Sequence, residues 1–68
     1  SSSSSQANQA TLEEGNRYEV KITGTGRKGD GAAERGKYTI FVPGTREGDV
    51  VTAYIESING NLAFARKV

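Results

Sequence analysis

From Arg17 onward the side chains alternate apolar and polar with a period of two, and this alternation constrains the fold more than any other feature of the chain. Tyr18, Val20 and Ile22 alternate with Arg17, Glu19 and Lys21. Successive side chains of a strand point to opposite faces, so such a stretch reads as a strand with one buried face. Tyr38, Ile40 and Val42 repeat the pattern against Lys37, Thr39 and Phe41. Val51, Ala53 and Ile55 do so against Thr52, Tyr54 and Glu56. From Asn61 to Val68, Ala63 and Ala65 alternate with Leu62, Phe64 and Arg66. No ten-residue stretch carries the 3.6 spacing of an amphipathic helix.

The punctuation is also that of a β-protein. Val42-Pro43-Gly44 ends a strand, because proline has no N–H to give to a ladder. Glu47-Gly48-Asp49 marks another turn. Asn59-Gly60 is the preferred central pair of a type I′ hairpin turn, where both residues take positive φ. Arg35-Gly36 closes a hairpin between a weak strand over Gly31 to Glu34 and the strong one over Lys37 to Val42. These signals predict an all-β domain over residues 12–68, a five-stranded, partly open Greek-key barrel of the OB type. Residues 1–11 begin with five serines and hold no large apolar side chain. They read as a disordered tail, with Leu12 anchoring its end to the domain.

With 68 residues there is room for one small domain. Cysteine and histidine are both absent, which removes disulfides, thiolate–zinc sites and the commonest general base. A cysteine-free chain fits a cytoplasmic location. No apolar run is long enough to span a membrane, and the start lacks the apolar stretch of a secretory signal. The net charge of +1 conceals an asymmetry. Beyond residue 14 there are nine basic and six acidic side chains, a balance of +3 that permits a polyanionic partner.

Gly24-Thr25-Gly26-Arg27-Lys28-Gly29 matches G-x-G-x-x-G. A dinucleotide site needs a helix after the last glycine, and here Asp30, Gly31 and a strand-like stretch follow. The segment reads instead as a glycine-rich loop joining two strands, with Arg27 and Lys28 placed for phosphate contacts. Ser57 is the only serine outside the tail and has no histidine to activate it. Asp30, Glu34, Glu47, Asp49 and Glu56 are scattered, without the ligand series of a calcium loop. The expectation is a non-enzyme without metal or cofactor.

Aromatic placement is the informative anomaly. If Ile40 and Val42 point inward, Phe41 points outward with Lys37 and Thr39. If Ala63 and Ala65 face a crowded interior, Leu62, Phe64 and Arg66 face out; the reverse choice buries Leu62 and Phe64. Alternation alone leaves the last strand open. An exposed ring gives a base a stacking surface, and Arg66, Lys37, Arg27 and Lys28 would hold the phosphates. Tyr54 either shares that outer face or plugs one end of the barrel.

Tyr18-Glu19-Val20-Lys21-Ile22, Gly26-Arg27-Lys28-Gly29-Asp30-Gly31, Ile40-Phe41-Val42-Pro43-Gly44, Gly48-Asp49 and Asn61-Leu62-Ala63-Phe64-Ala65 together resemble a TRAM domain, in order and spacing from about Leu12 to Val68. The resemblance implies a five-stranded OB-like barrel that binds RNA. It places the aromatic contacts at Phe41 and Phe64 and the basic ones at Arg27, Lys28 and Arg66. It tips Phe64 outward where periodicity does not. It also implies likeness to the free-standing archaeal TRAM proteins, thought to act as RNA chaperones in the manner of cold-shock proteins. The expected partner is RNA, in single-stranded regions of tRNA, rRNA or mRNA, bound by a cytoplasmic monomer. The competing expectation is a protein-interaction module that docks on a ribosomal or RNA-modification partner through Leu62, Phe64 and Phe41.

Overall fold

The alternating stretches fold as strands in the computed structural model, which describes residues 11–68. Of the expected tail, all but Thr11 lies outside the described residues. Six strands are present, β1 (Arg17–Lys21), β2 (Gly24–Thr25), β3 (Gly31–Arg35), β4 (Tyr38–Val42), β5 (Val50–Asn59) and β6 (Leu62–Lys67). They form one strongly curled sheet in the order β1-β5-β6-β4-β3-β2. All neighbours are antiparallel except β4 and β6, which run parallel.

The expected five strands and the observed six describe one path, because β1 and β2 are a single bent run of chain. At its middle, Ile22 N–H donates to Asp49 C=O (2.8 Å) and Ile22 C=O accepts from Gly48 N–H (2.7 Å). One residue later, Thr23 N–H donates to Ala32 C=O (2.9 Å). The backbone thus passes from the β5 side to β3 within two residues and joins the two edges of the sheet. Away from this junction the edges splay, and there the Arg35 guanidinium lies over the Tyr18 ring, 4.8 Å from its centroid.

The interior is filled by small and branched aliphatics. Val20, Ile22, Ala33, Ile40, Val42, Ala53, Ile55, Ala63 and Ala65 are buried, together with Leu12 from the segment before β1. Isoleucines carry most of the volume, and alanines on β3, β5 and β6 leave room for them. Tyr18, Tyr38, Val51 and Ile58 pack against the rim of this cluster. No aromatic ring occupies the centre.

Two hairpins close one residue later than the sequence motifs suggested. Arg35 pairs with Tyr38, so Gly36 and Lys37 form the turn, with Gly36 at φ +60° in the first central position. Asn59 pairs with Leu62, so Gly60 and Asn61 form the second turn rather than Asn59 and Gly60. The physical reason is register. A slip of one residue flips every side chain to the other face. The observed register sets Ile58 opposite Ala63. Closing on Asn59-Gly60 would set Ile58 opposite Asn61. Asn61 instead donates through Nδ2 to Lys37 C=O (3.2 Å), and its own C=O accepts from Thr39 N–H (2.9 Å).

The tightest point lies at the junction. Gly31 is buried, and a Cβ there would overlap Thr45 Oγ1 and stand 3.0 Å from Val42 O and 3.1 Å from Ile22 Cγ2. Thr45 is itself fixed, its Oγ1 donating to Val42 C=O at 2.6 Å. Gly31→Ala is therefore expected to lower the stability by about 1–3 kcal/mol, read as the shift in denaturation midpoint. Thr45→Ala in the same chain should recover part of that loss. A double-mutant cycle giving simple additivity would refute the steric account.

Candidate nucleic-acid interface

Strand register arranges the outer face in rows. In the central row Ala32, Phe41 and Phe64 lie side by side on β3, β4 and β6. Next to them β5 carries a bulge. Ile55 pairs with Ala65 but Ser57 pairs with Phe64, so Glu56 and Ser57 together oppose Phe64. The bulge resets the alternation, which keeps both Ile55 and Ile58 on the inner side of a ten-residue strand. The sequence showed only the first half of that alternation, because a bulge breaks the period of two.

Phe41 and Phe64 both point outward, as their buried neighbours Ile40, Val42, Ala63 and Ala65 require. Phe64 is 43% exposed and Phe41 is half-buried beside it. Their ring centroids are 6.0 Å apart with planes at 26°, an offset stack. The two rings therefore form one continuous platform rather than two separate ones. Small residues, Ala32 and Ser57, stand on either side of it in the strand register.

A second row crosses the face one step toward the C-terminal ends of β4 and β6. It holds Arg66 on β6, Tyr54 on β5 and Arg17 on β1, in register. Tyr54 thus lies on the outer face between two arginines and does not plug the barrel end. The placement of Arg17 beside Tyr54 has no local signal in the sequence, since the two are 37 residues apart in the chain. Arg66 Nε pairs with Glu56 Oε2 at 3.0 Å. The pair is well exposed, so it is worth at most about 1 kcal/mol to the fold.

The third row holds Glu34, Thr39, Leu62 and Asn59. Leu62 is 42% exposed and extends the apolar surface from Phe64.

The two basic loops stand at opposite ends of this face. Gly26 N–H donates to Asp30 C=O (2.9 Å) and Gly29 N–H to Gly26 C=O (3.0 Å), with Gly29 at φ +88°. This is a hairpin turn with a glycine bulge, and it presents Arg27 and Lys28 exposed at its tip. The G-x-G-x-x-G match is thus a strand-to-strand turn without a following helix. Because Gly31 pairs with Val42, the tip lies at the same end as Arg66. Lys37 departs from its expected place. It occupies the β3–β4 turn, with its ammonium 5.8 Å from the centroid of the Tyr38 ring. Four residues separate it from Phe41, about 13 Å of strand, so it does not flank the ring pair directly. The turn closes one residue later than expected, which moves Lys37 off the strand.

Among the described residues no group of three or more acids is placed to hold a metal ion, and no pocket is enclosed. The face is an open, mildly basic surface around an aromatic pair.

The model of the TRAM domain family matches residues 11–68. The chain belongs to the TRAM domain family. Translation initiation factor 2 subunit beta of Methanosarcina mazei is 54% identical over 56 residues, covering 82% of this chain and 28% of that protein. Ribosomal RNA large subunit methyltransferase E of Halobacterium salinarum is 38% identical over 58 residues, covering 85% of this chain and 22% of that protein. The chain thus spans about a quarter of the length of these relatives. The solution structure of a conserved protein of Methanococcus maripaludis superposes with a TM-score of 0.78 at 34% identity, covering 90% of this chain and 86% of that one. In the TRAM frame, the Gly26–Gly31 segment is the basic hairpin, and Phe41-Val42-Pro43-Gly44 carries one ring of the pair before its turn.

Because both rings of this TRAM domain sit on the surface, their removal should leave the fold nearly intact. Phe41→Ala and Phe64→Ala are each expected to cost no more than about 1.5 kcal/mol, largely the ring–ring contact. Ile40→Ala in the buried core should cost about 2–5 kcal/mol. Chemical denaturation of the three variants checks this ordering.

Proposed function

We propose that this TRAM domain binds single-stranded or weakly structured RNA and acts as an RNA chaperone. The observation that carries the reading is the stacked, outward Phe41–Phe64 pair on a face with basic residues around it. Every base has a π-face, so a ring platform holds RNA with low sequence preference, at about 1–3 kcal/mol per stacked base. Arg66, Arg27 and Lys28 take phosphates at one end, and Lys37 takes them at the other. Tyr54, set between Arg17 and Arg66, offers a third ring to the next base, and Leu62 borders the platform with apolar surface.

The chaperone action is mass action. A protein that binds only the unpaired form shifts the pairing equilibrium of the RNA toward that form. No bond is broken and no nucleotide is consumed, so the reading needs no nucleophile, general base or cofactor. The domain's likeness to parts of an initiation factor subunit and an rRNA methyltransferase supports a place in translation or RNA modification in the cytoplasm.

The second reading is a docking module for a protein partner, favoured by the exposed Leu62 beside Phe64 and by the likeness to a subunit of a multi-subunit factor. Salt separates the two. RNA binding through several phosphates should weaken steeply with salt, by about 0.7 units of log–log slope per phosphate held on a single strand. An apolar protein contact should hardly respond. Anisotropy titrations of a structured RNA with wild type, Phe41→Ala and Phe64→Ala should show each variant weaker by roughly tenfold. Since the rings form one platform, the double variant should lose less than the product of the two. Undiminished binding by both folded variants would exclude the stacking mechanism.

A further inference from the structure

Glu56 stands out because an acid at the centre of a phosphate-binding face is a liability unless it makes a contact of its own. The bulge puts it there. Without the extra residue, β5 would set a single side chain opposite Phe64; with it, Glu56 and Ser57 both oppose the ring and both are exposed. Directly opposed residues have Cβ atoms about 5 Å apart, so the Glu56 side chain leaves the backbone beside the platform. Its Oε2 is held by Arg66 Nε at 3.0 Å. A carboxylate has two oxygens and about four acceptor sites, so Glu56 can accept from a base while paired with Arg66. At 66% and 48% side-chain exposure the pair contributes little to the fold, so the carboxylate is available on the outer face.

We infer that Glu56 is a specificity-determining residue, accepting a hydrogen bond from the exocyclic amino group of a base stacked at Phe64. A carboxylate accepts from the N4 amino group of cytosine. Uracil presents a carbonyl oxygen at the same position, which a carboxylate repels. The two pyrimidines have closely similar ring faces, so stacking treats them nearly alike and Glu56 separates them. The domain then carries a modest bias toward cytosine at one position within otherwise sequence-tolerant binding. This inference rests on the RNA-stacking reading above.

The test is anisotropy of equal-length oligo(rC) and oligo(rU) with wild type, Glu56→Gln and Phe64→Ala. Wild type should favour oligo(rC) by about fivefold or more. Glu56→Gln should bring the ratio close to one, because an amide can donate to uracil as readily as it accepts from cytosine. Its amide spectrum should match wild type, since residue 56 is exposed. Phe64→Ala should weaken both RNAs. Equal binding of the two RNAs by wild type overturns the inference and leaves the stacking reading standing. So does a Glu56→Gln variant that tightens both RNAs by the same factor, which would make Glu56 a simple electrostatic brake. If wild type binds neither RNA, the stacking reading falls and this inference with it.

Discussion

The handover of backbone at Ile22 and Thr23 is the constraint on which the rest of the structure depends. Ile22 is hydrogen-bonded to the turn before β5, and Thr23 to Ala32 of β3. A curled sheet of short strands has two edges, each with unpaired backbone groups that must be covered or joined. Here one bent run of chain joins them. That solution works only if the β3 backbone comes very close to Ile22 and Thr45, which Gly31 permits by having no side chain. Thr45, bonded to Val42 C=O, then holds the Pro43-Gly44 turn against the same spot.

Closure fixes the interior volume, and the interior volume fixes what lies outside. A curled sheet this small has room for isoleucine, valine and alanine, and these fill it. A ring at position 41 or 64 has no room inside, so Phe41 and Phe64 stand on the outer face. The parallel pairing of β4 with β6 then brings them into one row and stacks them. The functional platform is thus a consequence of core packing. Its backbone belongs to two directly hydrogen-bonded strands, β4 and β6.

The bulge at Glu56 shows how one extra residue serves fold and face together. It lets a ten-residue strand keep Ile55 and Ile58 both turned to the core. It also places a carboxylate and a small hydroxyl beside an exposed ring on the other side of the sheet. The hydrogen bond from Ile58 N–H to Glu14 Oε2 (3.0 Å) supplies a partner for β5 backbone beyond the reach of β1. The segment just before β1 thereby completes the sheet where the strand itself has ended.

Period-two alternation along the chain makes the strands, the inner face of most of them and the lack of an amphipathic helix legible, because it is a local property. It determined Phe41 outward for the same reason, since Ile40 and Val42 flank it. The TRAM resemblance added Phe64, while the basic loop at Arg27 and Lys28 was legible from its glycines and charges. Tertiary structure alone decided what depends on register between distant strands. It set the two turns one residue later than their motifs suggested and drew Lys37 away from the rings. It placed the bulge at Glu56, and it lined up Arg17, Tyr54 and Arg66. Alternation along one strand says which face a side chain takes. Only the hydrogen-bonded pairing of strands says which side chains stand next to each other on that face.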